Sequence, residues 1–280
     1  VPNLSIGDQF GFARVFMRGI GMTSIDIGGE GAVAFLQDGA IIPRPAAQLM
    51  GMFDLAQLEV LRGPQGTLYG RGATAGVINM VTAKPGKDLG GYIRATAGNY
   101  GLLDIEGAVD LPLSDALSVR LAGKFENRDG YGTNLFSGEE VDDRDAQAYR
   151  VTFAYDDGGS FRATAAYQHY EEDDQNFAFH YFGPSEGNPL GPLAVPIFGD
   201  QTVFQAGGSI YDINSDQEAI NTRDGESGII TLEFDVADNQ TLKSITSFQE
   251  MDRFLRDDLD STDARFVQYS GPEPPLQKSS

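Results

Sequence analysis

The sequence predicts a mainly β protein built in two parts, and three observations carry that prediction. The grammar of the chain changes near Gly90. Beyond that point it runs in segments of about ten residues with period-2 alternation of apolar and polar side chains, the length and pattern of a tilted membrane strand. The connectors between those segments alternate between short turns and long polar stretches, as in an up-and-down barrel.

The first part, up to about Gly90, is Gly-rich and irregular, with short apolar runs and no sustained period. Within it Ala32 to Gln37, Asp38-Gly39, and Ala40 to Ile42 predict two strands joined by a tight turn, because glycine tolerates the positive φ such turns need. Asp54 to Arg62 leads to Gly63, and Pro64 to Tyr69 closed by Gly70 predicts a short helical turn, with proline near its start and glycine at its end. Val77 to Thr82 predicts a further strand before Lys84-Pro85.

About seven strands are expected after that, in the manner of a barrel: Gly91 to Asn99, Leu102 to Leu111, Leu117 to Glu126, Tyr149 to Tyr155, Phe161 to Tyr170, Gly228 to Asp235 and Thr241 to Met251. In the third, Leu117, Val119, Leu121, Gly123 and Phe125 share one face while Ser118, Arg120, Ala122, Lys124 and Glu126 share the other. Short turns follow the second, fourth and sixth strands, and long polar segments follow the third, fifth and seventh; only Asn99 to Gly101 is short where a long loop would fit. Acidic pairs and runs, Glu139-Glu140, Glu171 to Asp174 and Asp257-Asp258, are expected in the long segments, giving one side of the sheet most of the negative charge. The same alternation also suits a soluble β-sandwich with one wet face, here an acidic secreted protein binding carbohydrate or cations.

Composition removes several function classes. Among 280 residues, 41 Asp and Glu against 20 Lys and Arg leave a net charge of -21, which a phosphate backbone would repel, so nucleic acid is not a partner. There is no cysteine and the only histidines are His169 and His180, which excludes thiolate zinc sites and disulfide frameworks. No run reaches the roughly 18 apolar residues of a membrane helix. Val1-Pro2-Asn3 has neither an initiator Met nor signal-peptide features, so the chain reads as the inside of a longer product.

Chemical motifs are weak. Gly183-Pro184-Ser185-Glu186-Gly187 fits the serine-elbow pattern, but Asn188-Pro189 follow where a helix should start and both histidines precede the serine. Gly19-Ile20-Gly21 and Gly70-Arg71-Gly72 lack the strand and long helix of a nucleotide loop. Asp258, Asp260 and Thr262 open like a calcium loop, yet Asp263 stands at the obligatory glycine. Glu171 to Asp174 offers carboxylates for a hard cation or an iron-bearing ligand, although such runs usually form a solvated surface. No enzyme activity, catalytic residue, cofactor site or metal site is expected.

A longer pattern is more specific. Phe53 to Gly70, containing Glu59, Arg62-Gly63-Pro64, Gly66 and Tyr69, followed by Ala75-Gly76-Val77-Ile78-Asn79-Met80-Val81-Thr82, closely resembles the plug-domain signature of TonB-dependent outer-membrane receptors. Upstream, Arg18-Gly19 and Asp38-Gly39 resemble the family's R-G and D-G elements. Downstream, Gly98 to Gly101, Arg128 to Tyr131 and Leu242 to Phe248 resemble its early barrel strands.

The resemblance implies a small α+β plug over residues 1–90, its front missing, and the first antiparallel strands of a plugged, roughly 22-stranded transmembrane β-barrel over 91–280. Seven or so strands would not close such a barrel. It also implies a Gram-negative outer membrane, contact with its lipid, and import of a scarce nutrient such as a ferric siderophore. The driving partner would be TonB with its inner-membrane energising complex, powered by the proton motive force, through a TonB box outside this chain. Cobalamin, haem, plant-derived aromatics and glycans are other cargoes of the family. In such receptors plug arginines pair with barrel glutamates; Arg18 and Arg62 match those arginines, and their partners would lie beyond these residues. Phe177, Phe179, Tyr181 and Phe182, between Glu171 and Ser227, are expected in an outer loop that contacts ligand.

Overall fold

The computed structural model describes residues 2–9, 12–21, 31–70, 72–175, 208–258 and 268–272. The amino-terminal part holds two small sheets. β1 (Leu4–Gln9), β2 (Phe12–Met17) and β3 (Ile20–Gly21) form an antiparallel three-stranded sheet. The sequence is irregular over this stretch, because the strands are too short for their alternation to register as a period.

β4 (Val33–Gln37), β5 (Ala40–Ile41), β6 (Leu55–Arg62) and β7 (Gly76–Thr82) make the second sheet, in the order β5-β4-β7-β6, with β4 parallel to β7. Two turns explain two motifs. Arg18 and Gly19 have φ of 54° and 79° between paired Met17 and Ile20, and Asp38 and Gly39 have φ of 51° and 85° between paired Gln37 and Ala40. Positive φ at both central residues is the primed turn whose twist matches that of its flanking strands, and it favours Asp or Asn followed by Gly. A helical turn, α1 (Gly66–Tyr69), follows β6 and ends at Gly70 (φ 78°).

Residues 83–89 carry the chain from β7 straight into the second part. There β8 (Gly90–Ala97), β9 (Leu103–Pro112) and β10 (Leu117–Arg128) are followed by a small hairpin, β11 (Gly132–Thr133) with β12 (Glu140–Val141). β13 (Arg144–Asp156), β14 (Phe161–Asp174), β15 (Ile220–Ala237), β16 (Gln240–Asp258) and β17 (Gln268–Pro272) complete an open eight-stranded antiparallel sheet, each strand pairing with the next. All seven expected strands are present, and β17 adds an eighth.

The strands run further than their hydrophobic pattern. β15 has 18 residues and β16 has 19, so Glu171 to Asp174 and Asp257-Asp258, expected in loops, lie on β14 and β16. Backbone pairing continues there although the outward side chains turn from apolar to acidic, which ends the hydrophobic alternation without ending the strand. The outer segment after β14 accordingly begins at Gln175 and ends before Ile220. Phe177, Phe179, Tyr181, Phe182 and the Ser185 motif lie outside the described residues.

The eight-stranded sheet has two unlike faces. Leu121, Phe153, Ile230, Leu232 and Phe234 are exposed on one, and Tyr155, Phe161 and Phe234 form an aromatic row at its short-turn end, with centroids 6.1 and 6.5 Å apart. The opposite face is covered by the amino-terminal module. Phe12, Val15, Met17, Phe35, Ile78 and Met80 pack in one core with Ala108, Ala122, Ala146 and Ala148 of the wall. Small wall residues admit the module closely, as dense packing requires. Among the described residues no second sheet covers the apolar face.

Candidate functional site

The seam between module and wall carries the buried charge of the molecule. Asp54, at the entrance to β6 with a left-handed φ of 49°, points into the wall, where Arg120 of β10 meets it in a two-pronged pair. Nε to Oδ2 is 2.9 Å and Nη2 to Oδ1 is 2.6 Å, with side chains 9% and 2% exposed. Arg120 Nη1 also donates to both oxygens of Asp110, its cross-strand partner on β9, at 2.8 Å. Glu106 accepts from the Asp54 backbone N–H at 3.2 Å, from the Tyr92 hydroxyl at 2.6 Å and from Arg94 at 2.9 Å. Planar guanidinium geometry suits such multiple carboxylate contacts, and each charge here has partners.

One strand further, Arg150 of β13 is 1% exposed and holds the backbone of the module. Nη1 donates to Phe53 O and Nη2 to Gly51 O, both at 3.2 Å, while Nε and Nη2 share Gln168 Oε1. Its guanidinium lies 4.3 Å from the Phe53 ring centroid. A Cβ at Gly51 would stand 2.8 Å from Gln37 Oε1 and 3.2 Å from Gln168 Nε2, so a side chain there would push on both amides.

A third cluster occupies the long-loop end of the same inward face. Arg144 Nη1 pairs with Glu172 at 2.7 Å and Asp174 at 2.8 Å, Arg223 reaches Glu172 at 3.3 Å, and Asn221 and Tyr170 both donate to Glu172. The run Glu171 to Asp174 is thus divided by the strand pleat: Glu172 and Asp174 are buried inward among arginines, and Glu171 faces outward. Arg223 Nη1 also touches Ala46 O at 3.4 Å, and Arg253 stacks over Phe12 at 4.8 Å.

Above this cluster, Asp143 sits at the foot of the β11–β12 hairpin and accepts the Gln175 N–H at 2.5 Å. Burial pushes its carboxyl above the usual aspartate range.

The residues of the sequence signature fall in three places. Asp38 accepts from Thr82 N at 3.1 Å and Thr82 Oγ1 at 2.6 Å and pairs with Lys84 at 3.0 Å. Asn79 ties the turn to β6, its Oδ1 accepting the Gly39 N–H at 3.2 Å and its Nδ2 donating to Glu59 at 2.8 Å. Gly63 (φ 105°), Pro64, Gly66 and Gly70 shape the loop around α1, Tyr69 packs on Ala34, Leu36, Ala73 and Val77, and Gly76 has Met17 and the Leu61 carbonyl where a side chain would be. Arg18 and Arg62 stand exposed on the module, and neither makes an ion pair among the described residues. The signature therefore builds the inside of the module. Asp54, Arg120, Arg150 and Gln168, which hold it to the wall, carry no motif; the signal in the sequence is Arg120, a charge in mid-strand flanked on its own face by Ser118 and Ala122.

Comparison with known proteins agrees with this arrangement. Residues 1–77 match the TonB-dependent Receptor Plug Domain family. The chain is 31% identical over 135 residues to the Pesticin receptor of Yersinia enterocolitica, covering 46% of this chain and 20% of that protein. It is 26% identical over 210 residues to the Catecholate siderophore receptor Fiu of Escherichia coli O157:H7, covering 71% and 25%. The solved ferric yersiniabactin uptake receptor FyuA of Yersinia pestis shares the fold with a TM-score of 0.77 at 20% identity, over 97% of this chain and 39% of that one. The chain thus spans about a fifth to a quarter of the length of these curated relatives.

Proposed function

The chain carries the plug domain and opening barrel strands of a TonB-dependent outer-membrane receptor, and from that premise we propose that it serves the energised import of a scarce nutrient. Residues 1–90 are read as the plug and 91–280 as the amino-terminal portion of the barrel. The cargo is read as a ferric siderophore, because the relatives include receptors named for ferric yersiniabactin and for catecholate siderophores. TonB and its inner-membrane complex would supply the force, drawing on the proton motive force.

The observation that supports this most is the buried Asp54–Arg120–Asp110 network. A closed gate that must later move needs contacts that are specific in geometry and reversible. Removing one partner of a buried ion pair costs about 3–5 kcal/mol, which is enough to keep a gate shut and within reach of an applied force. An apolar outward face and a charged inward face suit lipid on one side and a polar lumen on the other.

The test uses the full-length receptor in its own outer membrane. Deleting the gene is expected to lower uptake of radio-iron presented as yersiniabactin or as a catecholate siderophore, and a protonophore is expected to lower it equally in undeleted cells. Uptake of both, and of cobalamin, that is indifferent to deletion would overturn the reading.

A further inference from the structure

The outward face of the wall is not evenly filled. On β9 and β10, Gly107 and Gly123 stand directly opposite each other, so two neighbouring outward positions carry no side chain. Glycine inside a strand marks a bulge, a tight bend, or a place where another group comes close to the backbone. The ladder here runs unbroken through both residues with no register shift, and neither has a positive φ, which leaves close approach. Packing within the wall does not require the glycine at position 123, because a Cβ there would meet nothing nearer than the Ala148 carbonyl oxygen at 3.6 Å.

The bare backbone at Gly123 lies in a slot of about 410 Å³ walled by Phe125 and Tyr149. Those two side chains are 39% and 48% exposed, so the slot opens outward. Its apolar end lies on β9 and β10. Its polar end lies on β13 and β14, where Gln147 Nε2 donates to Glu171 at 2.7 Å and the Tyr149 ring stands 5.2 Å from that of His169. Glu171, Asp224 and Asp252 face one another in a cross-strand row that caps the apolar surface toward the long loops. The slot thus runs from hydrocarbon depth to the membrane–water boundary on the outer side of the membrane.

We infer that this slot seats an acyl chain of an outer-leaflet glycolipid, with the sugar end of that lipid against Gln147, Glu171 and His169. Water does not fill a groove at hydrocarbon depth, and a flexible methylene chain does. The polar end selects the head. An amide and a carboxylate side by side offer the donors and acceptors that neighbouring hydroxyls need, and Tyr149 adds an apolar face with a polar tip at the boundary. The phosphate that a phospholipid carries beside its acyl chains would meet Glu171 and the acidic row beyond it, and like charges repel. The inference rests on the barrel strands facing lipid and goes beyond the transport reading, since it is independent of the cargo.

The test uses the full-length receptor, extracted in mild detergent, stripped of lipid and offered lipid A, dephosphorylated lipid A or phosphatidylglycerol. Lipid held per receptor is read by native mass spectrometry. Lipid A is expected to be held in preference to phosphatidylglycerol, and the dephosphorylated form at least as well as lipid A. Gly123→Leu fills the slot without meeting the backbone and is expected to lower lipid A retention about tenfold, the worth of a methylene or two of lost burial. Ala165→Leu, outward on β14 and outside the slot, is expected to leave retention unchanged. Gln147→Ala with Glu171→Ala is expected to keep a lipid bound and to erase the preference for lipid A.

Where Gly123→Leu does not fold, Phe125→Ala is read in the same way: it removes one wall of the slot without adding bulk, and a loss of retention is expected. Undiminished retention in the folded slot variant overturns the acyl seat. A preference for phosphatidylglycerol, weaker retention of the dephosphorylated form, or an unchanged preference in the double variant overturns the glycolipid assignment. Iron uptake does not enter the readout, so failure of the transport reading leaves this test as it stands.

Discussion

Arg120 and Leu121 are adjacent residues of one strand, and they live in opposite worlds. Arg120 is buried against a carboxylate of the plug, and Leu121 is 40% exposed on the apolar outer face. The two faces of the eight-stranded sheet teach that charge and apolar surface divide unusually here: the inward face holds paired charges beside the core it shares with the plug, and the outward face displays large apolar side chains. Outer-face chemistry is collective and tolerant, since any apolar residue serves. Inner-face chemistry is specific: Arg120 is shared by Asp54 and Asp110, and Arg144 and Arg223 share Glu172.

This contrast is broken most directly at its strongest pair. Asp54→Ala leaves Arg120 with Asp110 only, and is expected to cost about 3–5 kcal/mol of plug seating. Thermal unfolding of the purified receptor would show it, and increased outer-membrane leakiness to large antibiotics would accompany it. Leu121→Arg tests the outer face and is expected to cost about 2–4 kcal/mol if the position lies near the bilayer midplane, falling toward zero nearer an interface. Folding into lipid vesicles of graded thickness would place it. Ala122→Leu overfills the core shared with the plug and should cost about 1–3 kcal/mol. The same leucine at Ala165, on the outward face, should cost little, and denaturant midpoints compare the two.

The smallest effect concerns the hairpin above the wall. Because burial raises the folded pKa of Asp143 above its unfolded value, its stabilising contribution is complete below the unfolded pKa of about 3.9 and is lost as pH rises through the folded one. Asp143→Asn should therefore protect this loop from proteolysis at neutral pH and change little near the unfolded pKa. Equal protection at both pH values would show that burial there is not felt.

How much of this was legible differs between the faces. Strands β8 to β10 and β13 to β16 announce themselves through period-2 alternation, and the Asp38–Gly39 turn through its residue types. Their upper ends were hidden because Glu171, Asp224 and Asp252 replace apolar residues on the outward side while pairing continues. β17 and the β1–β3 sheet are too short to show a period. The latch was the least legible part. Asp54 and Arg120 are 66 residues apart, and a pairing between modules leaves no spacing for a motif to record. Arg120 was visible as a charge in mid-strand; that its partner would be an acid of the plug, and not a base facing a barrel glutamate, came only with the fold.

Residues 83–89, the seven that join β7 to β8, have one further consequence. Fully stretched they reach only about 25 Å. The connector is therefore a leash: however far the rest of the plug is drawn, β7 stays within a short radius of its own berth, at an effective concentration on the order of millimolar. On the proposed transport reading, reseating after an opening would be intramolecular, and so first order and independent of how many receptors the membrane holds.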